Sequence, residues 1–298
     1  MKLNKLSLKN QSLFARYLDH VPRELAAFSF ANIYIWQALY EINWALIENT
    51  LCVFFRDPLG CFMYLPPLAK EPVSSKVLAQ AFRLMEKINR NSGVSRIENI
   101  PQTDSALYRQ AGYTVREKYP DYLCLRKELE LLSGNDFKSQ RAACNYFVKH
   151  CDHACAMLTP AARADCLALF TLWAKERKAA HPDTVYCGML EDSFKTLQVA
   201  LDNYRSLHFS GIVVKVNKKI RGFSFGYELN AHTFCVLYEV TDLKIKGLAQ
   251  YIFREFSRKL PGYKYINIMD DSGIKSLAQT KLAYRPLRLV RAYIATLS

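Results

Sequence analysis

The sequence predicts a mixed α/β (α+β) protein of two domains, each a mixed central sheet flanked by helices. Three observations lead there. The chain has 298 residues, half of them hydrophobic and 13% aromatic, which suits two cores because single cores stop growing near this length. Strand-like and helix-like stretches follow one another in a shared order in both halves. In the second half an aromatic and β-branched run, residues 233–240, breaks through Gly247 into an amphipathic stretch over 250–260.

The first half begins with strands over 41–55 and 61–65. A helix over 74–91, a strand over 95–100, a short helix over 103–111 and a strand over 113–118 follow. Residues 121–150 read as a strand end and a helical connector, which puts the domains at 1–136 and 137–298. The second half opens with a helix over 160–179, where Thr159 precedes Pro160 as cap and first helical residue. A helix over 192–207 comes next, then a hairpin of 211–216 and 220–228 turning at 217–219. The chain closes with a strand over 263–269, a helix over 273–282 and a strand over 287–294. Gly112-Tyr113 after one short helix matches Ala283-Tyr284 after the other, 171 residues apart, as a domain-scale duplication would place them.

The junction at 244–249 reads as an anion site. Unpaired amides and the dipole of a helix N-terminus attract a phosphate, and Gly247 gives it room. The backbone of Lys246, Gly247, Leu248 and Ala249, with the Lys244 side chain, is therefore assigned to the phosphates of a ligand. The first half has Pro66, Pro67 and Pro72 at the matching place and no glycine. Proline removes amide donors, so only the second domain is expected to hold a phosphate-bearing ligand.

Charge agrees with that asymmetry. Residues 1–136 carry 17 Lys and Arg against 14 Asp and Glu, while 137–298 carry 24 against 13. A basic half suits coenzyme A, RNA or an anionic lipid headgroup, and a basic surface kept for solubility is the alternative. Nine cysteines without a paired framework or a secretory leader point to reduced thiols in a cytoplasm. The most apolar stretch, 33–55, is broken by Glu41, Asn43, Glu48 and Asn49, so no transmembrane segment is expected. His150, Cys151, Asp152, His153 and Cys155 cluster, yet no second pair stands at zinc spacing, and no metal is assigned.

The order of elements in the second half is that of the GNAT fold, and the basic-x-x-Gly-x-Ala spacing at 244–249 resembles the pyrophosphate loop of GNAT-type acyltransferases. Lys244 departs from the Gln or Arg that usually opens that loop. From about Ser29 onward the chain also resembles uncharacterised soluble proteins grouped with the C-terminal catalytic domain of bacterial phosphatidylglycerol lysyltransferases. The stretches that carry this are Ser29-Phe30-Ala31-Asn32 with Trp36, Lys138-x-x-Arg141-x-x-x-Asn145-x-Phe147, and Tyr238-Glu239 with Asp242. The longest is Asn267-x-x-x-Asp271-x-Gly273-Ile274-x-x-Leu277-x-x-x-Lys281-x-x-Tyr284-x-Pro286. The resemblance implies a tandem GNAT fold related to Fem-type aminoacyltransferases, which use aminoacyl-tRNA. Ile268 and Met269 stand where such proteins typically carry Arg and Glu, and Ala278 where they carry Arg.

Candidate chemistry follows. Glu239 and Asp271 are assigned to orienting or deprotonating an acceptor. Glu239 is read as a general base or as the partner of Lys244 or Lys246; Asp271 as a carboxylate for an amine or as a helix cap. Lys138, Arg141, Lys281 and Tyr284 are assigned to substrate, against solvated faces and a core tyrosine. Lys215, Lys218, Lys219 and Arg221 cluster at the hairpin. The expected function is acyl or aminoacyl transfer, with an acyl-CoA thioester or aminoacyl-tRNA as donor and an amine or hydroxyl acceptor. tRNA and an anionic lipid surface are the expected partners, in the cytoplasm or at the membrane periphery. The alternative is a ligand- or RNA-binding protein that has kept the fold without the reaction.

Overall fold

Strand alternation and helical stripes place the following elements in the computed structural model, which describes residues 2–89 and 92–297. In chain order they are β1 (Asn4–Lys5), α1 (Gln11–Leu18), α2 (Phe30–Ile35), β2 (Glu41–Ile47), β3 (Thr50–Asp57) and β4 (Gly60–Met63). Then come α3 (Ser75–Ile88), β5 (Arg96–Pro101), α4 (Ser105–Gln110), β6 (Thr114–Leu125), α5 (Arg126–Leu131) and α6 (Lys138–His150). They are followed by β7 (His153–Met157), α7 (Arg163–Ala180), α8 (Thr184–Asp202), β8 (Ser210–Val216), β9 (Lys219–Asn230) and β10 (Thr233–Thr241). The last are α9 (Leu248–Arg258), β11 (Tyr265–Asn267), α10 (Lys275–Leu282) and β12 (Arg288–Thr296).

The chain divides into two units, residues 1–121 with 290–298, and residues 122–289. The division differs from the 136/137 boundary expected from the connector, because β12 pairs antiparallel with β5 while the end of β6 pairs with β11. Such long-range pairing leaves no local mark in a sequence.

In the first unit the strands run β1-β2-β3-β4-β5-β12, with β4–β5 parallel and the other neighbours antiparallel. Its core gathers Val77, Leu78, Ala81, Phe82 and Met85 from one face of α3 onto Phe54, Met63, Ile97 and Tyr293, the stripe an amphipathic helix needs. The single strand expected over 41–55 is two, since Glu48 and Asn49 turn with φ of 48° and 61°. Arg90 and Asn91, at the end of the helix expected over 74–91, lie outside the described residues.

In the second unit the order is β6-β11-β10-β9-β8-β7, with β10–β11 parallel and the other neighbours antiparallel. Leu248, Tyr251, Ile252, Phe253 and Phe256 of α9 form its buried stripe, packed with Cys144 and Phe147 of α6. The second helix starts at Thr184 rather than 192, because Asp183 accepts the Tyr186 amide at 2.8 Å and caps it. Part of the His/Cys cluster is an edge strand, β7. No described helix is long and apolar enough to cross a membrane.

Candidate functional site

The site begins where two strands part. β10 and β11 pair only from Thr233↔Tyr265 to Cys235↔Asn267. Beyond that, β10 continues along β9 through an irregularity between Val236 and Tyr238. The other chain follows Tyr122, which donates to Met269 O and accepts from the Ile268 amide. Met269 takes φ 60°, and its amide donates to Asn267 Oδ1 at 2.7 Å.

Alternation decides what faces the opening. Phe225 of β9 packs on Tyr204, just past α8, and on Tyr238, whose hydroxyl donates to Ser193 O of α8 at 3.0 Å. Gly222 and Ser224 therefore point the other way; a Cβ on Gly222 would meet Ile252 of α9 at 3.2 Å. Glu239 is the cross-strand partner of Ser224, so both side chains lie on the α9 side. Glu239 is partly exposed as a residue, yet its Oε2 is buried and accepts no hydrogen bond among the described residues. Ser224, fully buried, has an Oγ in the same state. Burial pushes the Glu239 carboxyl up to about 8, with Lys281 pulling down more weakly.

The Lys281 ammonium donates to three backbone carbonyls, those of Ile268, Met269 (3.1 Å) and Asp270 (2.6 Å). It therefore latches the chain that leaves β11 instead of lying on a solvated face. Asp271 is similarly engaged: Oδ2 accepts from Tyr122 at 2.5 Å and Oδ1 from the Gly273 amide at 2.8 Å. Tyr284 packs edge-on against Phe253, centroids 4.5 Å apart. Burial, then the Glu239 charge, raises its hydroxyl.

The loop from Asp242 to α9 is organised by a buried carboxylate. Asp242, 7% exposed, accepts the Lys244 amide at 3.0 Å and pairs with Arg221 at 3.1 Å. The Leu248 amide donates to Ile245 O at 3.3 Å. The amides of Lys246, Gly247, Ala249 and Gln250 have no acceptor among the described residues, and no side chain caps α9. Lys244 reaches Glu176 of α7 at 3.4 Å, and Lys246 lies over the Tyr146 ring at 4.6 Å. Gly247 has a different reason to be glycine than room for a phosphate. Its φ is +84°, and a Cβ would stand 2.1 Å from Ala143 O of α6.

The connector residues do not join this site as a pair. Arg141 turns back to the carbonyls of Leu132 and Gly134 (2.8 Å to the latter), satisfying the C-terminal end of α5, while Lys138 is exposed. Arg221 and its hairpin neighbours lie with α7, on the sheet face opposite α6 and α9, so they do not share a face with the connector. His150 and His153 each hold a backbone carbonyl at 2.8 Å, Tyr146 O and Cys151 O. Among the described residues no three His, Cys, Asp or Glu side chains converge as metal ligands would. Ser224 and Asp242 are the site residues that sequence reasoning passed over as candidates in their own right. The alternation Gly222-x-Ser224 in a strand otherwise aromatic was the available signal.

A family model described as phosphatidylglycerol lysyltransferase, C-terminal, matches residues 20–296. The chain belongs to that family. Among solved structures similar to this chain, a conserved protein of unknown function from Bacteroides thetaiotaomicron is 25% identical, with TM-score 0.89 and full coverage of both chains. L-PGS from Bacillus licheniformis is 14% identical with TM-score 0.64, over 96% of this chain and 91% of that one. A tandem GNAT protein from the clavulanic acid biosynthesis pathway shares the fold at 10% identity and TM-score 0.51, over 100% and 98%. Among curated proteins none matches the chain. The tandem GNAT fold and membership of the lysyltransferase C-terminal family together support a transferase.

Proposed function

We propose that the protein moves an acyl or aminoacyl group from a phosphate-bearing donor to an amine or hydroxyl at the opening between β10 and β11. The observation that carries this reading is Glu239, a buried carboxyl with an unpartnered oxygen, raised to about 8 where two strands separate. A base with that affinity for protons is matched to neutral solution. Its carboxylate would take the proton of the acceptor as the nucleophile attacks the donor carbonyl. The new bond forms at carbon, the carbonyl electrons move to oxygen, and β10 amides that have lost their β11 partner would hold that oxyanion. Collapse breaks the donor's ester or thioester bond, and the leaving oxygen or sulfur receives a proton.

The donor's phosphates are assigned to the uncapped start of α9 with Lys244. The family's lysyltransferase description favours aminoacyl-tRNA, and the loop's spacing favours an acyl-CoA. tRNA and anionic lipid are the partners this reading implies, in the cytoplasm or at a membrane periphery. The test offers aminoacyl-tRNA and acyl-CoA, carbonyl-labelled, with amine and lipid-hydroxyl acceptors. Label is expected in product with one donor, falling about 10²-fold or more in Glu239→Gln. Transfer that survives this substitution unchanged would overturn the assignment of the base.

A second reading, binding without transfer, is favoured by Ile268. It is 9% exposed in the apolar core, at a position where proteins resembling this one typically carry a charge. Tight donor binding with no product from any acceptor would select it.

A further inference from the structure

A second concave feature lies beside the α9 loop, on the other face of the sheet. It is a cleft of about 420 Å³ between the first half of α7 and the β8–β9 hairpin. Its floor is apolar: Leu169 is 5% exposed, and Leu172 and Ile220 are half-buried. Its rim is cationic, with Lys215, Lys218, Lys219 and Arg221 against one acid, Asp165.

Local structure sets that rim. Asn217 and Lys218 take φ of 50° and 66°, the mirror-image turn that suits a two-residue hairpin. A register shift between Val214 and Lys215 breaks the ladder at the first lysine, and such irregularities re-aim side chains. Among the described residues Lys215, Lys218 and Lys219 make no ion pair, and all three are exposed. Unneutralised like charges held on one short hairpin repel one another unless an anion joins them.

The cleft is tied to the loop already assigned to the donor by an ion pair. Arg221 lines it and pairs with Asp242, and Lys244 pairs with Glu176 farther along α7. Both ion pairs hold the loop at the end of the sheet nearest the cleft. The shape favours a flat apolar body on the leucine floor with phosphates at the rim. A bilayer surface would instead need apolar side chains outermost, and here they are innermost.

We propose that this cleft binds the phosphorylated nucleoside portion of the donor, its base on Leu169, Leu172 and Ile220 and its phosphates on Lys215, Lys218 and Lys219. The assignment rests on the transferase reading above. Two sources share that chemistry, a nucleotide cofactor and an RNA end, and the test separates them.

The probes are a labelled single-stranded RNA hexanucleotide, adenosine 3′,5′-bisphosphate, and phosphatidylglycerol vesicles. Each is titrated at two salt concentrations into wild type, Lys218→Glu/Lys219→Glu and Glu239→Gln. These lysines are exposed, and circular dichroism checks that the reversed protein folds. The expected result is binding of the hexanucleotide or the bisphosphate, weakened tenfold or more by the reversal and untouched by Glu239→Gln. If RNA is the source, the salt slope should also fall by roughly 0.7 for each phosphate no longer neutralised. Equal binding of both nucleotide probes to wild type and reversed protein would overturn the cleft, as would no binding of either at low salt. Loss confined to vesicles would overturn it in favour of a lipid surface. Transfer by wild type that the reversal leaves unchanged breaks the cleft alone. Wild type that binds the probe through these lysines but transfers nothing breaks the transferase reading and leaves the cleft standing.

Discussion

The two units share a frame and differ in what they leave unsatisfied. Tyr113 stacks on Phe82 of α3 at 4.5 Å, and Tyr284 meets Phe253 of α9 at the same distance. Asn99 and Met269, each two residues past a parallel partner, take φ of 53° and 60°. In the first unit the polar groups at the matching places are answered. Leu51 and Leu68 exchange backbone bonds of 2.9 Å, folding the proline loop onto β3. Ser74 caps α3 by accepting the Val77 amide at 3.3 Å. Asn99 donates to Tyr64 O at 2.8 Å where β4 and β5 part, and Glu98 pairs with Lys118 and Arg96. In the second unit α9 has no side-chain cap, and Glu239 and Ser224 hold orphaned oxygens. Buried polar groups without partners are rare in folded proteins; among the described residues the first unit has its own at Trp36 and Trp44 Nε1, but at the places that match the site it has none, whereas the second unit does.

The largest expected effect breaks or upholds that contrast directly. Glu239→Gln should lower transfer by about 10²-fold or more, whereas Glu98→Gln should leave it within a few-fold. Equal losses would mean that the first unit takes part in the chemistry.

Next in size is a pair of glycines. Gly247→Ala meets Ala143 O at 2.1 Å with φ +84°, while Gly112 has φ +89° and nothing within 4 Å of an added Cβ. Urea denaturation should show about 3 kcal/mol lost at Gly247, against about 1 kcal/mol at Gly112. A loss at Gly247 no larger than at Gly112 would show that α6 yields there, and would restore that residue as a probe of phosphate approach.

The two glutamates should also respond oppositely to pH. Glu239 is raised from an ordinary 4.5 to about 8. The folded state therefore binds more protons between those values, and stability falls as pH rises through that window. Glu239→Gln should gain on wild type by about 4 kcal/mol from pH 5 to pH 9. Burial would raise Glu98 too, but Lys118 and Arg96 outweigh it and hold the carboxyl below the ordinary value. Its contribution is full above about 4.5 and is lost as pH falls through the depressed value. The cost of Glu98→Gln should thus shrink in acid. The smallest effect is Ser74→Ala, about 1 kcal/mol of stability with transfer unchanged; a loss of transfer would tie the first unit's cap to catalysis.

Much of this frame is readable in the amino-acid order alone. Gly247 at a strand-to-helix junction, the Gly112-Tyr113 and Ala283-Tyr284 echo, and Glu239 beside the loop are local patterns, and each lies at a structurally special place. What escaped was non-local. Lys281 reads as a helix-face cation until the carbonyls of 268–270 gather around it. Gly247 reads as space for a ligand until α6 fills that space. β7 was hidden because His-Ala-Cys-Ala-Met has no β-branched residue, and its pairing with β8 decides it. An orphaned oxygen such as Ser224 Oγ is a property of every neighbour at once, which no spacing encodes.

The pairing of β12 with β5 also has a meaning in time. Residues 290–297 leave the ribosome some 169 residues after Asp121, roughly 10–30 s later at ordinary elongation rates. Throughout that interval the first unit is synthesised but one strand short, with the edge of β5 and its buried Ile97 and Ile100 uncovered. An open edge of this kind invites pairing with other chains. Vectorial folding from the N-terminus is therefore blocked by topology: the earlier unit cannot close until the later one has been made.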